Sequence, residues 1–200
     1  LLDSAILYLD KQKDIEATKK QNRDYIRAYY LLNDFKTVTT YAHELKPEVM
    51  NDAWTAYRIG EAYYQQDHAD SALAWYKRAT EVWKHSLDFE NKYGICLLAL
   101  NKLPEALTVF QFVISENPKH ISANTNLGYI YMQQGNSAMS YDYLIKANKL
   151  DPDYEQNLIN LAVWYHGNND NDKAKRSLEH LLKKHPANER AKAMLIDLAQ

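Results

Sequence analysis

Apolar positions recur along this chain at two nested spacings. Within short stretches, bulky residues return at i, i+3 and i+4, the spacing of one helix face. At longer range the pattern itself returns. Ile59–Tyr76 reads IGEAYYQQDHADSALAWY, and further along Leu127–Leu144 reads LGYIYMQQGNSAMSYDYL. Gly60, Gly94 and Gly128 are evenly spaced, and the same step taken once more falls on Ala162. In that frame Tyr63, Leu97, Tyr131 and Tyr165 share one place. Ala72, Ala106, Ser140 and Ala174 share a second, and Tyr76, Phe110, Leu144 and Leu178 a third. Pro118, Pro152 and Pro186 close three units, while Lys84 stands where the first unit would have its Pro. The frame divides the chain into units 53–86, 87–120, 121–154 and 155–188. Each is predicted to be two antiparallel helices joined by a short turn, as in NKLPEAL and GNSAMS.

The packing reason is close approach. Gly in the first helix and Ala in the second are small where two backbones cross, and the Tyr and Phe places fill the space around the crossing. Pro ends the second helix because it lacks an N–H and disfavours helix in the residue before it. One unit cannot bury its apolar face alone, so the units are expected to stack. One step back, 19–52 reads as a divergent unit. Tyr25 and Tyr29 keep the aromatic places, but Ile26 replaces the Gly and Ala42 replaces the bulky residue. This is a compensating swap of large for small, which holds core volume roughly constant. Residues 1–18 read as the second helix of a unit whose first helix is missing, with Leu1, Leu2, Ile6 and Leu9 offering an apolar face for self-association. Residues 189–200 read as a capping helix, with Arg190, Lys192 and Asp197 toward water.

The repeat resembles the tetratricopeptide repeat, a unit of about 34 residues whose pattern is W-x2-L-G-x2-Y, then A-x3-F, then P. Here the opening stretches read A-x2-I-G-x2-Y, E-x2-Y-G-x2-L, N-x2-L-G-x2-Y and L-x2-L-A-x2-Y, with Ala56, Glu90, Asn124 and Leu158 at the Trp place. The resemblance implies an all-α fold, a right-handed superhelical solenoid of antiparallel helix pairs forming a single domain over 1–200. It also implies a concave groove lined by the first helices. Carried over place by place, the groove takes Arg23, Arg27, Trp54, Tyr57, Arg58, Glu61, Tyr64, Lys92, Asn126, Tyr129 and Asn160. The early half of this wall mixes basic and aromatic groups, suited to a carboxylate with an apolar neighbour. The late half is neutral, with Asn126 and Asn160 one repeat apart and able to pair with peptide backbone. Asp24 and Arg58 read either as part of the wall or as a structural ion pair. Some members of this family clamp a C-terminal carboxylate. Arg23 and Lys92 fit that version, but Arg27 and Arg58 replace its two Asn residues and Asp88 replaces a Lys, so this chain is not assigned to that subclass.

Composition agrees with an ordinary soluble protein, at 46% apolar and 25% charged residues. Five Gly and five Pro make the chain poor in turns. The net charge of −2, with 24 basic and 26 acidic residues spread along the chain, shows no basic excess or stripe for nucleic acid. No apolar run approaches the ~20 residues that span a bilayer. Cys96 is the single cysteine, which excludes an intramolecular disulfide and fits cytoplasm and bacterial periplasm alike. It reads as a small core residue in GICLLAL.

His180 and His185 are five apart and belong to no HExxH motif, so they read as solvated. NNDND at 168–172 lacks the Gly and Glu of a calcium loop and reads as a turn with Asp170 as N-cap. No P-loop, dinucleotide fingerprint or nucleophile elbow occurs. No cofactor, metal or catalytic residue is expected. The leading expectation is a protein–protein interaction module that binds a peptide or protein segment. The alternative is a structural, assembly or regulatory arm of a longer protein, fused to an enzyme, sensor or redox domain.

Overall fold

A computed structural model describes residues 19–43, 45 and 50–198. The half-helix expected at 1–18, and the self-association assigned to it, lie outside these residues. The described residues form helices and no strands. First-type helices are α1 (Lys19–Leu31), α3 (Ala53–Tyr64), α5 (Leu87–Ala99), α7 (Ile121–Gln133), α9 (Glu155–Gly167) and α11 (Glu189–Asp197). Second-type helices are α2 (Phe35–Ala42), α4 (Ala69–Val82), α6 (Leu103–Glu116), α8 (Ser137–Leu150) and α10 (Asn171–Lys184). Both sets begin at one regular interval, the repeat step read from the sequence, and the divergent 19–52 stretch keeps it. The all-α, antiparallel helix-pair class read from the sequence is the class observed. The chain forms two compact units, one ending at Lys102 and the other beginning at Leu103.

The turn inside each pair has one repeated geometry. Asn33, Asp67, Asn101, Gly135 and Asn169 hold the same place in successive repeats, and all have positive φ, between 57° and 73°. The left-handed region is open to Gly and tolerated by Asn and Asp, and a bulkier residue there is strained. The residue after it opens the second helix and returns its N–H to a carbonyl near the end of the first. Examples are His68 to Tyr63 at 3.0 Å and Asp170 to Tyr165 at 2.9 Å. Asp34, Asn136 and Asp170 also cap that helix, accepting from the N–H groups of Thr37, Met139 and Lys173. Such a cap is worth about 1 kcal/mol. Where Lys84 replaces Pro, His85 takes the left-handed conformation instead, at φ 73°.

Each unit has its own core. In the first, Ile26, Val38, Ala42, Ala56, Ile59, Trp75 and Phe89 pack together. Ile26 and Ala42 are both buried there, as the size swap requires. Gly60 leaves room for the ring of Tyr76, since a Cβ would stand 2.9 Å from Tyr76 Cδ1. In the second unit a Cβ on Gly128 would stand 2.6 Å from Leu144 Cγ, and Ser140 Oγ donates to the Gly128 carbonyl at 2.8 Å. Ala162, Ala174, Leu178, Leu181 and Ala191 continue that core. Through Ala191, with Met194, Leu195 and Leu198 alongside, α11 covers it while Arg190 and Asp197 stay exposed.

Candidate functional site

Within each unit the first-type helices form a layer of their own, because α1 packs on α3 and α7 on α9. The expected groove residues sit on this layer, and their settings differ.

In the first unit, Arg23 and Arg27 are exposed on α1 and Trp54 is 43% exposed on α3. With Arg58 they line a cleft of about 400 Å³, joined by Asp24, Asp52 and Thr55. The Arg58 guanidinium carbon lies 5.7 Å from the Trp54 ring centroid. That is within cation–π range. Burial, then the nearby Arg27 charge, pull the Arg58 pKa below its ordinary value, and Asp52 opposes them. Among the described residues Arg58 forms no ion pair with the Asp24 considered from sequence, and Asp52 is the carboxylate that raises its pKa. Asp52 in turn accepts from Thr55 Oγ1 at 2.5 Å.

Tyr57 is half-buried. Its ring stacks on Phe89 with centroids 5.0 Å apart, and Trp54 meets the same Phe89 edge-on at 5.0 Å. Trp83, which sequence reasoning left out of the site, stands 50% exposed beside them, 6.2 Å from Trp54. It follows the last helical residue of α4, a place normally read as a helix end and nothing more.

Glu61 is 6% exposed and faces its own network instead of an open wall. Its carboxylate accepts from Lys92 Nζ at 2.9 Å, Tyr76 Oη at 3.1 Å and Gln65 Nε2 at 3.2 Å. Burial pushes the Glu61 pKa up, but the Lys92 charge and these donors outweigh it, and it rests below its ordinary value. Burial and the adjacent Glu61 raise the phenols of Tyr57 and Tyr76. Tyr64 is half-buried nearby. Burial likewise holds the Cys96 thiol up at about 11, and its Sγ lies 3.1 Å from the Ala69 carbonyl oxygen. A thiol so placed is a core residue and a poor nucleophile.

In the second unit, Asn126 and Tyr129 are half-buried on α7. Asn126 Nδ2 donates to Ser122 Oγ at 3.3 Å. Asn160 is 3% exposed, and its Oδ1 accepts from Gln156 Nε2 at 3.0 Å. Both amides thus have local partners one turn away. A separate apolar cleft of about 300 Å³ lies between Met132, Ser137, Val163 and Trp164. Trp164 Nε1 donates to the Ser137 carbonyl at 3.0 Å, and its ring stacks on Tyr141 at 4.4 Å. Met132 and Val163 belong to the inward places of the repeat, whereas Trp164 does not, so the frame alone passes it over. Asp170 is the N-cap that the NNDND turn was expected to supply. His180 is exposed but ordered by Asp153 at 2.7 Å. Among the described residues no group of His, Cys, Asp and Glu is placed to hold a metal ion, and no helix is long and apolar enough to cross a membrane.

Two family models, both described as tetratricopeptide repeat, match the chain at 55–82 and 121–154, and at 156–188. Human protein O-mannosyl-transferase TMTC2 is 28% identical over 99 residues, 48% of this chain and 12% of that protein. The chain spans about a third or less of the curated relatives it matches, from 12% to 32% of their length. Among solved structures, TTC0263, a TPR protein of Thermus thermophilus, superposes with a TM-score of 0.71 at 16% identity, covering 91% of this chain and 99% of that one. YrrB, described as a TPR protein with an unusual peptide-binding site, gives 0.67 at 15% identity over 93% and 96% of the two chains. These likenesses show the fold. The repeat models show tetratricopeptide repeats in this chain at 55–82, 121–154 and 156–188, and the fold of these solved structures is the fold such repeats build.

Proposed function

We propose that this protein binds a peptide or a segment of another protein along the layer of first-type helices. The observation that carries the reading is the cleft between α1 and α3. There, Arg23, Arg27 and Trp54 stand exposed beside a half-buried Arg58 on two packed helices. Folded proteins seldom leave such groups together at a surface without a partner. The fold favours a protein partner, since repeat arrays of this family present extended binding faces. YrrB, a structural relative, is itself described as having a peptide-binding site. The reading includes no reaction, and it excludes the C-terminal carboxylate clamp, because Lys92 is committed to Glu61 at 2.9 Å.

Affinity capture tests it. Arg58→Ala with Arg27→Ala in the first unit, and Asn126→Ala with Tyr129→Ala in the second, are compared with Lys77→Ala on the exposed side of α4. Loss of a co-purifying protein with the first-helix variants, and not with Lys77→Ala, supports the reading. Equal capture by all three sinks it. Tyr57 is unsuited to this test because its ring is part of the core around Phe89.

A second reading, an assembly or regulatory arm of a longer polypeptide, is favoured by the relatives' lengths. Each curated match is mostly sequence beyond the aligned stretch. Light scattering of this segment over a range of concentrations addresses the assembly form. A mass that rises with concentration supports it, and a constant monomer mass removes it.

A further inference from the structure

The three arginines of the first-unit cleft raise a charge problem. Arg23 and Arg27 are one turn apart on α1, so they face the same way. Arg58 on α3 lines the same cleft as Arg27, and burial together with the Arg27 charge lowers its pKa. Among the described residues, none of the three forms an ion pair. The two carboxylates in the cleft do not balance them. Asp52 is tied to Thr55 at 2.5 Å and Asp24 is exposed, leaving three cations against two anions. Like charges held together around an open volume of about 400 Å³ are relieved by an incoming anion. Guanidinium forks match a planar carboxylate better than any neutral donor.

The cleft also has an apolar side. The Trp54 ring is 43% exposed there, and Trp83 extends the aromatic surface beyond it. An isolated small anion would leave both indoles bare. A segment with acidic side chains next to an aromatic or aliphatic one satisfies both halves.

Building on the function proposed above, we infer that the cleft between α1 and α3 is an anchor for internal acidic side chains of a partner peptide. Arg23, Arg27 and Arg58 take the carboxylates, and Trp54 takes the adjoining apolar residue. The recognised group is a side chain and not a chain terminus, because Lys92 is already paired with Glu61 and Asp88 lies exposed on the next first-type helix.

The test uses a short N-acetylated, C-amidated peptide with Asp and Glu on both sides of one Phe, its Asn/Gln counterpart, and its free-acid form. Binding to the whole chain is followed by fluorescence anisotropy. The acidic amide is expected to bind roughly tenfold or more tighter than the Asn/Gln peptide, a difference of about 1.4 kcal/mol. That binding should weaken steadily between about 0.05 and 0.5 M salt. Arg27→Gln and Arg58→Gln should each lose about tenfold, while Arg176→Gln, the same charge change on α10, should lose none. Circular dichroism melts identify any variant that fails through unfolding, and Arg58→Lys, which keeps the charge but not the fork, should fall between wild type and Arg58→Gln.

Equal binding of acidic and neutral peptides overturns the inference, as does an equal loss with Arg176→Gln, binding of the free acid alone, or no binding of any peptide. A capture experiment that fails with the Asn126 and Tyr129 variant but survives Arg27→Gln would overturn this anchor and leave the broader binding function standing.

Discussion

Gly128 shows how finely a single position is specified here. An added methyl would meet buried Leu144 at 2.6 Å and the Ser140 carbonyl at 3.2 Å. Gly128→Ala is therefore expected to cost about 1–3 kcal/mol through overpacking, despite the better helix propensity of Ala. In the double variant with Leu144→Ala the contact with Leu144 disappears and only the milder one with the Ser140 carbonyl remains, so the measured loss should be smaller than the sum of the single losses. Ala42 makes the converse case in the divergent repeat. It is 1% exposed beside the core that holds Ile26. Ala42→Phe should therefore lower the melting temperature, and an unchanged melt would dismiss the size swap.

Such positions are legible in sequence because a small residue returning once per unit has few explanations other than a helix crossing. The settings of Glu61 and Asn160 are not. Both occupy inward places of the repeat frame, yet they are 6% and 3% exposed. Periodicity fixes the direction in which a side chain leaves its helix. Whether Lys92 or Gln156 reaches over to meet it depends on rotamers, which the period does not encode.

Between helices, the left-handed turn residues and a half-buried ion pair set how one element meets the next. Asn169 has φ 63°. Asn169→Ala should cost about 1 kcal/mol, while Asn169→Gly should leave stability nearly unchanged. A denaturant titration of the two variants separates them. The once-per-unit recurrence of Asn, Asp and Gly at this turn is visible in the sequence once the frame is known, although a frame built on core positions does not point to it.

The Glu61–Lys92 pair joins α3 to α5 and brings pH into the stability of the first unit. The Glu61 carboxyl sits below its ordinary value of 4.5 in the folded state. Its contribution is therefore present above that value and is lost as pH falls through the lower, folded value. Glu61→Gln should reduce stability by about 1–3 kcal/mol at neutral pH, where Lys92 loses its charged partner. The gap to wild type should close as pH drops below 4.5, as thermal melts across that range would show.

At the level of the molecule, two units each have a separate core. In stacked repeats stability is close to a sum of local terms, so damage spreads chiefly to neighbours. Leu178 is fully buried in the second core. Leu178→Ala should cost about 2–5 kcal/mol. Amide exchange should accelerate most in α8 to α11 and least in α1 and α2. Uniform acceleration along the chain would mean that the whole array opens as one cooperative block.

The four indoles are shared unequally between the two units. Trp54, Trp75 and Trp83 lie in the first, and Trp164 stands alone in the second, stacked on Tyr141. The intrinsic emission of the protein therefore works as two separable optical channels. Excited selectively at its indoles, a Trp164→Phe chain emits from its amino-terminal half alone, and the difference spectrum against wild type follows the other half through any titration or melt without an added dye.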